Sequence, residues 1–175
     1  FPVERIRLPT RLGETHVVAC GPKDAPPLVA LHGAQANAAA YLGDAAAWAR
    51  DFRVYAIDMI GEAGVSAEVR PPLDDDTHAH WLDDVLDGLG IARAAFVGTS
   101  LGGWLALDYA TRRPHRVEKL ALLCPSGIGR QRVTMLRQRG WRAYLRRTMA
   151  RKRPRAGVGF AGIMRRGVDM RMTNN

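Results

Sequence analysis

Ser100 stands between Gly98 and Gly102 in the stretch VGTSLGGWLA, where a short apolar run gives way to a helical pattern. Glycine two residues to either side of a serine has a steric reason in a strand–turn–helix corner. The serine backbone is strained there, and strand and helix pass so close that side chains would collide. Such a corner lifts the hydroxyl above the sheet and aims the first helical N–H groups, that of Leu101 among them, at the same space. A hydroxyl so placed can attack an electrophilic carbon if a base takes its proton. The spacing from Gly98 to Gly103 also fits a phosphate-cradling loop. Trp104 and Leu105 follow, however, where that loop needs Lys and Ser or Thr, so phosphate binding is set aside.

The groups that would serve Ser100 are harder to find. PLVALH (27–32) ends on His-Gly, and backbone N–H groups after it could form half of an oxyanion cradle, Leu101 N–H supplying the other half. His32 itself is read as structural, because chain order for this type of corner runs Ser, acid, His. After Ser100 the only histidine is His115 and the only acids are Asp108, Glu118 and Asp169. His115 falls beyond the far end of the helix that starts at Ser100, roughly 20 Å away. Asp108, roughly 12 Å down the same helix, is expected to be a solvated surface acid. His78 and His80 open another helix and are expected to be polar and exposed. The chain therefore offers no catalytic acid and no catalytic histidine, and neither a metal nor a cofactor is expected.

The elements that must position Ser100 alternate in type. ERIRLP (4–9), THVVAC (15–20), PLVALH (27–32), RVYAID (53–58), AAFVGT (94–99) and KLALLC (119–124) read as strands. The first two alternate around a glycine turn, as in an antiparallel hairpin, whereas the last four are nearly continuous apolar runs, as in strands covered on both faces. Helical patterns fill 37–50, 76–90 and 101–113, the second with Leu82, Val85, Leu86 and Leu89 in register, Asp76 or Thr77 as N-cap and Gly90 just past its end. The expected fold class is α/β, a mostly parallel sheet with helices on both faces.

Charge divides the chain in two. Residues 1–127 hold 12 Lys and Arg against 16 Asp and Glu, whereas residues 128–175 hold 14 against 1. The first part reads as a globular core and the second as a basic lid-like or disordered tail. No apolar run is long enough to span a membrane. Cys20 and Cys124 lack any CxxC spacing and are expected to be reduced and buried, in a cytoplasmic protein. The chain opens on Phe1, so its start is expected to lie upstream.

Three stretches, LHGAQAN, AIDMIGEAGVS (56–66) and VGTSLGGWLA, together with RRPHRVEKLALLCPSGIG, resemble the α/β-hydrolase family over residues 3–127. AIDMIGEAGVS is similar to that family's D-x-x-G-x-G-x-S loop, through Asp58, Gly61, Gly64 and Ser66, with the middle glycine displaced by one. The resemblance implies that Ser100 is the nucleophile, that the backbone of Ala34 and Leu101 forms the oxyanion hole, and that Gly98 and Gly102 are the elbow glycines. Serine instead of aspartate at this corner speaks against dehalogenase and epoxide-hydrolase chemistry. The family continues with a lid and two further strands, which precede the catalytic acid and the histidine. Nothing after residue 127 reads as either strand, so the fold is expected to stop after about the sixth.

The expected function is therefore carboxylic ester hydrolysis through an acyl-enzyme on Ser100, weak in this incomplete chain, with a small-molecule ester as substrate. Acyl transfer or perhydrolysis on the same scaffold stays open. The alternative is a non-catalytic binding protein, or pseudoenzyme fragment, using its basic tail for anionic partners. The tail itself has three readings. It is a truncated or frame-altered segment, a basic lid with Val133, Leu136, Trp141, Tyr144, Leu145 and Met149 partly aligned, or an arm for nucleic acid or an acidic membrane. No specific nucleic-acid partner is expected. With the seventh strand missing, Leu120 to Leu123 would border a bare sheet edge, and self-association is expected through residues 119–124 unless the tail folds over that edge.

Overall fold

A β-hairpin opens the described part of the chain. The computed structural model describes residues 2–128 and, for the backbone alone, residues 169–172. Strands β1 (Glu4–Thr10) and β2 (Gly13–Cys20) pair antiparallel with Thr10 opposite Gly13. Four parallel strands follow, β3 (Pro27–Leu31), β4 (Arg53–Ile57), β5 (Ala94–Thr99) and β6 (Val117–Leu123), and β2 joins them antiparallel to β4. The lid and arm readings of the basic segment fall on residues 129–168, outside the described residues.

One expectation about the sheet is corrected. Residues 169–172 form a short strand, β7 (Asp169–Met172), which pairs in parallel with β6 so that Lys119 faces Asp169 and Leu122 faces Met172. The edge expected to be bare, and with it the surface expected for self-association, is covered along Lys119–Leu122. The strand is easily passed over in the sequence because DMRM, although it alternates polar and apolar residues, is only four residues long and lies in an arginine-rich stretch with no apolar run.

The spatial order is β1-β2-β4-β3-β5-β6-β7. From β3 the chain steps to β4 on one side, then crosses back to place β5 on the other. The crossover helices accordingly lie on opposite faces. Helix α1 (Leu42–Trp48) covers one face, where Ala45 and the preceding Ala38 and Tyr41 pack on Leu28, Ala30, Val54 and Val97. Helices α2 (Thr77–Gly88) and α3 (Leu101–Arg112) cover the other, packing Trp81, Leu82, Leu86, Leu105 and Tyr109 on Val29, Leu31, Phe96, Leu120 and Leu122. Alternate residues of each strand thus feed two separate cores, which is why these strands read as unbroken apolar runs.

The caps follow from the local sequence. Asp75 Oδ1 accepts the Thr77 N–H at 2.9 Å ahead of α2. At its other end Gly90 (φ +69°) lets Gly90 N–H reach Asp87 O at 3.0 Å and Ile91 N–H reach Leu86 O at 2.8 Å, a Schellman closure. The single helix expected over 37–50 is instead a 3-10 turn (Ala38–Tyr41) followed by α1. Asn37 caps that turn by accepting Ala39 N–H at 3.0 Å, and the buried Tyr41 hydroxyl donates to Leu31 O at 2.7 Å, tying the break to the end of β3.

Candidate active site

Ser100 occupies φ 51°, ψ −111°, a conformation that L side chains seldom adopt and that costs about 1–3 kcal/mol unless its surroundings impose it. They do so through the main chain. Ser100 N–H donates to Leu123 O on β6 at 3.0 Å, and Ser100 O accepts from Trp104 N–H at 3.0 Å and Ser126 N–H at 2.9 Å. Gly102 N–H donates to His32 O past the end of β3 at 3.0 Å. Both elbow glycines are sterically required: a Cβ on Gly98 would lie 2.5 Å from Gly102 O and 2.7 Å from Gly103 Cα, and one on Gly102 would lie 2.5 Å from His32 O and overlap Leu31 O.

The corner stands where the strand order reverses, between the turn that leaves β3 for one face and the turn that leaves β5 for the other. Such reversals open a crevice beyond the carboxyl ends of the strands. The β3 turn closes on Ser100 so tightly that a Cβ on Gly33 would be 3.5 Å from Ser100 Cβ. Its next residues are held in shape: Gln35 has φ 61°, its N–H donates to Glu62 Oε2 at 2.5 Å, and Ala36 N–H donates to Gly33 O at 3.3 Å. The N–H groups of Ala34 and Leu101 donate to no described residue. Both are thus available to a ligand oxygen.

His32 is fully buried and both its ring nitrogens are engaged. Nδ1 donates to Gly33 O at 2.8 Å, which leaves Nε2 to accept the Met59 N–H at 3.0 Å. Burial holds its pKa below the ordinary histidine value, so the ring is a neutral brace between the loops after β3 and β4. His115 is exposed at the entry to β6, the end remote from Leu123 and Ser100. Asp169 opens β7 opposite Lys119, at that same remote end by register.

The loop 58–66 has the architecture that its displaced glycine put in question. Asp58 Oδ1 accepts Ala38 N–H at 2.7 Å, and its Oδ2 accepts Val65 N–H at 3.2 Å and lies 3.1 Å from His16 Nδ1. Ser66 Oγ donates to Asp58 O at 2.6 Å and accepts His16 N–H at 2.8 Å. Gly64 sits over the carboxylate, where a Cβ would be 3.0 Å from Asp58 Oδ2. Asp58 is therefore a hub for three segments, and reaches Ser100 only through them.

Three side chains differ from expectation. His78, expected to be exposed, is buried, with burial holding its pKa low, because positions 78, 82 and 85 share the inward stripe of α2. Asp108, expected on the surface, is buried where α3 packs on both the sheet and α2, and accepts from Arg112 Nε at 2.8 Å. Cys124, expected to be buried, is exposed at the mouth of the crevice with φ 38°, while Cys20 is buried, and both are free thiols.

Sequence reasoning missed Ser126, whose hydroxyl oxygen lies 3.1 Å from Ser100 Oγ. The signal was available in outline: if KLALLC pairs beside AAFVGT, the loops that leave them must meet. Leu42, Val65 and Ile128 are exposed apolar residues of the segments that follow β3, β4 and β6. An open cleft of ≈ 520 Å³ lined by Val3, Ala19, Pro22, Lys23, Ala49 and Arg53 lies at the opposite end, where β4 begins.

The class is set by a serine on a strained strand–helix corner at a reversal of strand order, with the Ala34 and Leu101 N–H groups undonated among the described residues. A family model for the alpha/beta hydrolase fold matches residues 26–156, and the chain belongs to that family. Among curated relatives, carboxylesterase nap of Bacillus subtilis is 42% identical over 117 residues, covering 67% of this chain and 39% of its own. Carboxylesterase YbfK of the same organism is 39% identical over 123 residues, covering 70% and 42%. The crystal structure of naproxen esterase from B. subtilis superposes with a TM-score of 0.67 at 39% identity, covering 71% of this chain and 44% of that one. The chain thus spans about two fifths of the length of the curated relatives it matches.

Proposed function

We propose that this chain is the nucleophile-bearing part of a carboxylic ester hydrolase that works through an acyl-enzyme on Ser100. The observation that carries the reading is the elbow itself, Ser100 at φ 51° with the N–H groups of Leu101 and Ala34 undonated beside it. In that reading Ser100 Oγ bonds to the carbonyl carbon, its proton passes to a base, and the two amides hold the oxyanion until the alcohol leaves. Water then releases the acid. The similarity to carboxylesterases supports the same class of substrate.

All five histidines of the sequence lie among the described residues, and none is free to act on Ser100. His32 is locked, His115 is at the far end of the sheet, and His16, His78 and His80 belong to other clusters. Residues 1–127 as a core and 128–175 as a basic extension remain our reading of the organisation, and the free thiols of Cys20 and Cys124 support a cytoplasmic setting. That no histidine among the described residues is free to act on Ser100 leaves a second reading, a binding protein that keeps the corner without turnover.

A fluorophosphonate probe and a p-nitrophenyl ester separate the two. The hydrolase reading expects the probe on Ser100, no labelling of Ser100→Ala, and slow turnover, on the order of the 10³–10⁴-fold over water that binding and the oxyanion hole sustain alone. Probe and ester both inert toward Ser100 would overturn it in favour of the binding protein.

A further inference from the structure

The segment after β6 does more than connect. Cys124 takes φ 38° and Gly127 takes φ 80°, so the chain turns sharply twice within four residues and folds back over the elbow. The main chain fixes that return at two places, through Ser100 N–H to Leu123 O at 3.0 Å and Ser126 N–H to Ser100 O at 2.9 Å. Gly127 closes against the Trp104 ring, where a Cβ would lie 2.9 Å from Cδ1. The result is that the half-buried Ser126 places its hydroxyl oxygen 3.1 Å from Ser100 Oγ, the one side-chain partner that Ser100 has among the described residues.

Either hydroxyl can donate in this pair. Donation from Ser126 leaves the Ser100 proton free for a base and puts a hydrogen-bond donor on the oxygen where negative charge gathers as that proton departs. A hydrogen bond to the charged form of a group favours that form. Donation in the other direction would commit the Ser100 proton and aim its lone pairs away from any substrate. Neither hydroxyl has another side-chain partner among the described residues, and once the Ser100 proton has departed only Ser126 has a proton to donate within the pair.

We propose that Ser126 is a positioning residue for the nucleophile: its hydroxyl donates to Ser100 Oγ, selects the Ser100 rotamer, and stabilises the deprotonated oxygen. The proposal rests on Ser100 being the reactive group. Ser126 itself forms no bond to the substrate.

The test replaces the weak nucleophile by one whose ionisation can be read without a base. In the full chain carrying Ser100→Cys, the rate of alkylation of the introduced thiol by iodoacetamide is followed against pH, with peptide mapping to separate it from Cys20 and Cys124. The midpoint reports formation of the thiolate, which stands in for the Ser100 alkoxide. Adding Ser126→Ala should move that midpoint up by about half to one pH unit, a three- to tenfold loss of thiolate below the midpoint. Ser126→Thr, which keeps the hydroxyl, should restore it. The titratable groups on the segments around Ser100 are His32, Tyr41, Glu62 and Cys124, and they are the same in every variant, so their influence cancels.

Should Ser126→Ala disturb the fold, the near-isosteric pair Ser126→Thr and Ser126→Val makes the same comparison with shape held constant. A midpoint unchanged by loss of the hydroxyl, with the circular dichroism and melting of the variants matching the parent, would overturn the proposal. Failure of the fluorophosphonate to label Ser100 would instead count against the hydrolase reading, and leaves the thiolate measurement standing by itself.

Discussion

Replacing Gly98 by alanine tests whether the corner is set by contact between backbones. The added Cβ would meet Gly102 O at 2.5 Å, Gly102 C at 2.7 Å and Gly103 Cα at 2.7 Å, whereas real Cβ atoms stay beyond 3.0 Å. The first turn of α3 must then retreat by about half an ångström, since none of the three obstructing atoms belongs to a side chain that could swing aside. That turn is also bonded to both flanking strands, through Ser100 to Leu123 and Gly102 to His32, so retreat stretches two hydrogen bonds together. Overpacking against atoms that cannot yield falls at the upper end of its usual range, about 3 kcal/mol. For a chain of this size that corresponds to a melting temperature roughly 10 °C lower. Gly43→Ala is the matched control, because nothing lies within 4 Å of its Cβ position inside α1. There alanine should stabilise by about 0.5–1 kcal/mol through helix propensity. Thermal melts and urea titrations of the two variants should therefore move in opposite directions. Melting of Gly98→Ala within about 2 °C of the parent would refute the steric argument.

Two further outcomes follow from buried polar groups. Burial keeps the pKa of His78 and of His32 below the unfolded value, and for His78 it outweighs the pull of Asp108 and Asp75. The unfolded chain then takes up protons first as pH falls, so stability should decline below about pH 6.5, at up to about 1.4 kcal/mol per pH unit for each ring, until the folded pKa is reached. Urea titrations between pH 8 and 5 measure this, and His78→Leu should flatten the decline. Asp58→Asn should cost roughly 2–3 kcal/mol, because one of its two backbone donors, Ala38 N–H or Val65 N–H, would then face an NH₂ group. Denaturant melts at a fixed pH give the number, and a loss under about 0.5 kcal/mol would show that the hub is dispensable.

The fold was legible where residues carry period and punctuation. β5, α3 and the corner between them could be placed from GTSLGG alone, because only glycine tolerates the contacts found at positions 98 and 102. What escaped depends on partners distant in sequence. His78 and Asp108 looked like surface residues while α2 and α3 were treated as separate helices, and their burial comes from the packing of one on the other and on the sheet. Asp58 reads as the last residue of a strand and the first of the family loop, yet its contacts join segments 20 and 42 residues away. β7 pairs with the edge of β6, and the alternation of DMRM is too short to announce that partner. Ser126 belongs to the same class: its place in the site is created by strand adjacency.

The braces on Ser100 are made almost entirely by main-chain atoms: the carbonyls of Leu123 and His32, the amides of Trp104 and Ser126, and the absence of side chains at 98 and 102. A peptide group offers the same donor and acceptor whatever residue carries it. The geometry of the corner is thus largely decoupled from the identity of the side chains around it. Leu123 contributes its carbonyl, so its side chain can be exchanged without removing the brace on the Ser100 backbone. A corner built in this way separates evolvability from precision: the backbone that carries the serine stays fixed while neighbouring side chains remain open to change.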